Sequence, residues 1–195
     1  MIKVIFLFSI TILFSAVLPA QLLSVAVNYT TSDETIDKHI IFYQPGQLLA
    51  WDDFKGQPVE ESDAVALTNA GFSLKLAFHQ VGNISQLVID VNCNFSEKKS
   101  WVKNGNKTPY ILNHEQKHFD IAYIHTRLFI QKLKNAAFKS NNYEAVITKI
   151  HNETAAAMSK MQNQYDLETN HSRITDKQMA WDEKISKLLA LVLIG

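Results

Sequence analysis

Between Thr68 and Gln80 apolar and polar side chains alternate with period two. Ala70, Phe72, Leu74, Leu76 and Phe78 fall on one side, and Gly71, Ser73, Lys75, Ala77 and His79 on the other. After Val81-Gly82-Asn83 the alternation resumes, with Leu87, Ile89, Val91, Cys93 and Phe95 inward and Asp90, Asn92 and Asn94 outward. Two half-buried strands around a Gly-Asn turn predict an antiparallel hairpin with one covered face. Weaker strand signals flank it: His39 to Tyr43, stopped by Pro45-Gly46, and Ser100-Trp101-Val102. Between the first of these and the hairpin lies a Gly/Pro-bounded turn with Trp51 and Phe54. These read as pins into the core, or as a stacking surface for a ligand. Residues 21–38 are polar and Thr/Ser/Asp-rich after their first few positions, and read as a loosely ordered lead-in.

At Thr108-Pro109, a cap and first-turn pair, the spacing changes from two to that of a helix. The first helix is expected to run to about Lys139. A second, from about Asn142 to Gln164, carries an apolar stripe through Tyr143, Val146, Ile147, Ile150, Thr154, Met158 and Met161. Tyr165 to Ser172 reads as a polar loop. Thr175-x-x-Gln178 resembles a capping box for a third helix, with Trp181, Ile185, Leu188, Leu189 and Val192 along one side. The expectation is one α+β domain over residues 39–195: an N-terminal antiparallel sheet, then a helical part.

The first helix carries the candidate chemistry, His114-Glu115-Gln116-Lys117-His118. Residues four apart project from one face of a helix, so two imidazoles can reach one Zn²⁺ ion. Glu115 stands beside that face, placed to act as general base on a water. This is the H-E-x-x-H pattern of zinc hydrolases, and a helix that carries it makes the domain zincin-like. A bland alternative is a metal-free domain in which both histidines pack or face solvent.

Catalytic zinc takes three protein ligands plus water, so a third must come from elsewhere. If the first two helices form an antiparallel hairpin around Ser140-Asn141, facing residues have numbers summing to about 280. Residue 165 then returns to the level of residue 115. That brings Tyr165, Asp166, Glu168 and His171 to the histidine pair. His171 leads as third ligand because His is the commonest partner in such sites; Asp166 and Glu168 follow. Tyr165 is a candidate donor to the oxyanion of peptide hydrolysis, with a buried structural role as the alternative. Asp120 lies off the metal-facing stripe and suits pairing with a Lys or capping another segment. His125 is two turns beyond His118, and His151 reads as surface.

Composition adds the compartment. Residues 1–20 have Lys3 followed by a nearly unbroken apolar run from Val4 to Val17, then Pro19-Ala20 before Gln21. That is the layout of a cleavable export signal, too short for a spanning helix. The chain is therefore expected in the periplasm or outside the cell, with no membrane span once the signal is removed. A single cysteine, Cys93, excludes an internal disulfide. With 19 basic and 19 acidic residues among 195, neither nucleic acid nor an anionic membrane is expected as the main partner.

Several segments together resemble a known family. They are Leu49-Ala50-Trp51-Asp52-Asp53-Phe54-Lys55-Gly56, Ser100-Trp101-Val102, Leu112 to Ile121, and Tyr165-Asp166-x-x-Thr169-x-His171 with Gln178 and Trp181. The pattern is similar to a bacterial family of secreted proteins, catalogued as a domain of unknown function and described as predicted zinc-dependent proteases. It covers about residues 45 to 185. Ser172 stands after His171 where the family pattern has Gly. The resemblance implies a zinc site and an export signal, and leaves the substrate open. The function expected is a secreted zinc metallopeptidase acting on protein or peptide substrates. The alternative is a non-catalytic, zinc-stabilised envelope or binding protein.

Overall fold

A computed structural model describes residues 22–32, 37–82 and 84–194. The export signal expected over residues 1–20 lies outside them. The chain is α+β, with strands first and three helices after them. In order, the sheet strands are β1 (Leu22–Tyr29), β2 (Ile40–Phe42), β4 (Ala70–Val81) and β5 (Ile84–Ser96). A second, two-stranded sheet joins β3 (Ala66–Leu67) to β6 (Trp101–Val102). The helices are α1 (Pro109–Lys134), α2 (Tyr143–Thr169) and α3 (Thr175–Ile194).

The hairpin read from the alternation is present, with β4 pairing β5 from Ala70↔Phe95 to Val81↔Ile84. Leu87, Ile89, Val91, Cys93 and Phe95 are fully buried against the helices. The opposite face carries Ser73, Asn92 and Asn94, joined by hydrogen bonds of 2.8–3.1 Å. Leu76 and Phe78 lie near the hairpin tip and stay partly exposed.

Two expectations need correction. The lead-in of 21–38 is not loose throughout, because Leu22–Tyr29 forms β1 and runs parallel to β5 from Ile84 to Val91. The sheet is therefore mixed rather than antiparallel, and the folded unit starts before residue 39. Leu23, Val25 and Val27 supply the reason: they pack on the cluster of Leu87, Ile89, Phe129 and Leu133. The second correction concerns the helix ends. α1 stops at Lys134, where the Asn135 amide bonds back to Gln131 and the chain turns through Lys139 and Asn142. α2 continues past Gln164 to Thr169, so most of the expected loop is its last turns.

α1 lies between the sheet and the other two helices, and its burial explains its composition. Phe119, Ala122 and Tyr123 pack on Tyr43, Phe54, Cys93 and Phe95, while Ile121 and Ile124 pack on Tyr165, Trp181 and Ile185. Trp51 and Phe54 do pin their turn to the core, their rings 4.9 Å apart. Gln116 and Asp120 tie the same region to α1. The Leu49 amide donates to Gln116 Oε1 at 2.8 Å, and Tyr43 Oη–H donates to Asp120 at 3.0 Å. Lys117 completes the set with a 3.0 Å ion pair to Asp120, the Lys pairing expected for that residue. The first half of α1 is thus held in one orientation by groups on its sheet side.

Candidate metal centre

Thr108 caps α1, its side-chain oxygen accepting from the Ile111 amide, and Pro109 fills the first turn. About one and a half turns further on His114 begins the pair, and His114 and His118 point together toward α2. The level rule holds there: Asp166 of α2 faces His114, and Gln162 faces His118. Asp166 Oδ1 lies 3.1 Å from His114 Nε2 and 3.0 Å from His118 Nε2, and the two Nε2 atoms are 3.3 Å apart. Ligand atoms around a tetrahedral ion with bonds of 2.0–2.1 Å stand about 3.3 Å from one another. Among the described residues, His114, His118 and Asp166 form a group whose ligand atoms all lie within 4.8 Å.

The other nitrogen of each imidazole is also held. His114 Nδ1 meets Gln178 Oε1 at 2.9 Å, and His118 Nδ1 meets Gln162 Oε1 in a short contact. Both amides are locked by acceptors that cannot donate. Gln178 Nε2 donates to Asp182 at 2.8 Å, and Gln162 Nε2 donates to the His118 carbonyl at 2.9 Å. Each Oε1 must therefore face its histidine and each Nδ1 must carry a hydrogen, so Nε2 is the nitrogen of each ring that faces the centre and is free to take an ion in place of a proton. Asn113 extends the network by donating to the other oxygen of Asp182 at 3.0 Å.

The electrostatics favour a cation at this point. Burial works against a charged His118, but the hydrogen bond and charge of Asp166, with Glu115 beside it, push it up from 6.5 to about 9. Burial likewise works to raise Asp166, and the hydrogen bonds from both imidazoles outweigh it, holding the carboxyl well below its usual range. Glu115 is buried and lines the same cleft, and its Oε2 has no hydrogen-bond partner. An unpaired buried oxygen costs about 1–3 kcal/mol. Donor spacing, fixed ring orientations and an unpaired carboxylate oxygen all fit a divalent ion.

The remaining candidates fall into place around this group. His171 is adjacent, with Nδ1 3.5 Å from Asp166 Oδ1, but it stays outside the group of three and is substantially exposed. Asp166, the second-ranked candidate from the sequence, is the residue grouped with the two histidines, because α2 carries it directly opposite them. Glu168 points away, accepting from Trp181 Nε1 at 2.8 Å. Tyr165, read from the sequence as an oxyanion donor or a buried structural residue, lies buried behind His114. Its ring stacks on His114 at 4.5 Å, and its hydroxyl donates to the His114 carbonyl and accepts from Gln178 Nε2 at 2.6 Å. It is fully buried and does not line the cleft. His125 bonds its own helix carbonyl at Ile121, and His151 packs on Phe72 and Phe129. The expected capping box is also absent: α3 begins at Thr175, and Gln178 serves His114 instead.

The cleft has a volume of about 350 Å³. Ala64 to Thr68, including β3, form one wall, and the ends of α2 and the following turn form the other. In that turn Asn170, His171 and Ser172 have φ of 48°, 49° and 69°, three successive non-glycine residues in the left-handed region. Such conformations cost about 1–3 kcal/mol each and gather at functional sites. Arg173 bridges the walls, donating to the Asp63 carbonyl at 2.7 Å.

With the geometry established, comparison with known proteins adds a family. Residues 57–172, more than half of the chain, match the model of the family described as bacterial protein of unknown function (DUF922). The chain belongs to that family. The matched span of this DUF922 member includes the β3 wall, both histidines, Glu115, Gln162, Asp166 and His171. No curated protein and no solved structure matches the chain.

Proposed function

We propose that this DUF922 protein is an exported zincin-like metallopeptidase that hydrolyses peptide bonds with a zinc-activated water. The observation that carries the reading is the convergence of three ligand atoms at tetrahedral spacing beside the unpartnered Oε2 of Glu115. His114, His118 and Asp166 would hold the ion. Bound there, zinc supplies Lewis acidity that makes a water acidic near neutral pH and polarises a carbonyl. Glu115 accepts the proton of the attacking water and delivers it to the leaving amine. Gln162 and Gln178 keep both imidazoles oriented, and Tyr165 supports the His114 ring from behind. The cleft wall at Ala64 to Thr68 is long enough to lie alongside several residues of an extended chain.

His171 favours a second reading. Turned slightly, it could complete a closed four-ligand site of the structural kind, in a zinc-stabilised binding protein. Glu115→Gln separates the two. The metallopeptidase reading expects zinc-loaded wild type to cleave a peptide library and zinc-loaded E115Q to hold the same metal without cleaving. Equal cleavage by both proteins removes Glu115 from the reaction. No cleavage by either, with one tightly held zinc per chain, favours the binding protein.

A further inference from the structure

The far end of α1 carries a second feature, independent of the metal centre. α1 and α3 run in the same direction, since Gln178 near the start of α3 meets His114, while Leu191 and Val192 near its end line a groove with Arg127, Leu128 and Lys134. That groove lies about 14–24 Å along the helix axis from His118. The last turns of α3, Leu188-Leu189-Ala190-Leu191-Val192-Leu193, are apolar on every side, although burying one face needs only a stripe. Leu189 and Val192 use that stripe, packing into the core. Leu191 is left 68% exposed, with Leu128 beside it at 37%.

The charges around these side chains have one sign. From Ile121 to Tyr143 the chain carries Arg127, Lys132, Lys134 and Lys139 and no Asp or Glu. After Glu183 it carries no Asp or Glu; Lys187 there pairs with Glu183 at 2.6 Å and Lys184 lies over the Trp181 ring, which leaves Arg127 and Lys134 as the charges on the groove itself. A chain that is neutral as a whole is locally basic where its helices α1 and α3 finish. Exposed leucines rimmed by cations match a surface that is apolar beneath and anionic above. A second copy of the chain fits less well, because a two-fold contact sets Arg127 and Lys134 against their own equivalents. No described helix is long and apolar enough to cross a membrane, so the contact is peripheral.

We propose that this end of the molecule docks on an anionic lipid surface. Leu128 and Leu191 enter the headgroup layer, and Arg127 and Lys134 meet the lipid phosphates. The metal cleft, at the other end of α1, then faces away from the bilayer.

The test is cosedimentation of the full chain with vesicles of phosphatidylcholine alone and of phosphatidylcholine mixed equally with phosphatidylglycerol. The apolar N-terminal run contributes equally to every variant, so differences between variants report the helix end. Wild type should partition more strongly to the mixed vesicles, and the excess should shrink with salt. Lys134→Gln should weaken it about fivefold, and Leu191→Glu should weaken it further. Both positions are at the surface, and circular dichroism checks that the variants fold. Equal binding to both vesicle types, or variants that bind like wild type, overturn the proposal. A concentration-dependent dimer in light scattering that Leu191→Glu abolishes overturns it in favour of self-association.

Discussion

Gln178→Leu tests whether the carboxamide behind His114 orients a ligand or only fills space. Gln178 is almost fully buried and accepts the His114 Nδ1 hydrogen at 2.9 Å. Leucine keeps the volume and removes the acceptor. In the metal-free protein the orphaned donor costs about 1–3 kcal/mol, which for a chain of this size lowers Tm by about 2–12 °C. His114 can recover part of this by moving its hydrogen to Nε2, where Asp166 Oδ1 accepts it at 3.1 Å. Zinc must then break that bond and reverse the tautomer, so affinity should fall about 10- to 100-fold, or about 1.4–2.8 kcal/mol. Competition with a chelator of known zinc affinity measures this directly. Two further variants separate orientation from packing. Gln178→Glu keeps an acceptor for Nδ1 but faces the Asp182 carboxylate, so it should lose stability while retaining most of the zinc affinity. Thr126→Val removes a buried hydrogen bond to the Ala122 carbonyl two turns away, and should lower Tm with zinc affinity unchanged. If Q178L binds zinc as tightly as wild type despite its lower Tm, the orienting role is wrong.

Other outcomes follow from the same geometry. Asp166→Asn should reduce zinc affinity by at least about 100-fold and His171→Asn by no more than a few-fold, because only Asp166 sits on both imidazoles; the reverse order would return His171 to the ligand set. In chelated protein, His118 is raised from 6.5 to about 9. A raised group stabilises the fold fully below its ordinary value and loses that contribution as pH climbs through the higher one. Tm should therefore fall between about pH 6.5 and 9. Asp166 is depressed, so its share is present above the ordinary carboxylate value of 3.8 and disappears as pH falls below it. Zinc should flatten the alkaline fall, since it replaces the proton at Nε2; a chelated protein with constant Tm over that range would refute the pairing. Loss of cleavage without loss of zinc in Glu115→Gln completes the set.

Which parts were legible in the sequence follows from what each pattern encodes. The β4–β5 hairpin shows because one face is buried and every second residue records it. β1 does not, because its Leu22-Leu23-Ser24-Val25-Ala26-Val27 follows directly on the apolar N-terminal run, and its partner β5 lies some sixty residues further along the chain. Asp166 was within reach. The stripe of α2 continues without a break through Met158, Met161, Tyr165 and Thr169, with Gln162 and Asp166 beside it. Asp166 is polar because it faces the two histidines and Glu168 because it meets Trp181, but a run of polar residues alone reads as loop. Gln162 carries no usable signal in the sequence, and Gln178 stands out only as a capping residue and as part of the family pattern, not as the partner of His114. An amide is common on helices, and its role depends on three helices meeting.

The parallel placement of β1 also sets an order of events in folding. The hairpin of β4 and β5 closes over a few residues, a fast local step, whereas β1 must wait for β5 to exist. Until then Leu133 and Ile89 lack the cover that Leu23, Val25 and Val27 provide. β1 should therefore be sealed after the hairpin and open before it. Hydrogen exchange should find the β1 amides less protected than those of the β4–β5 hairpin, with β5, paired on both edges, the slowest-exchanging strand of the sheet.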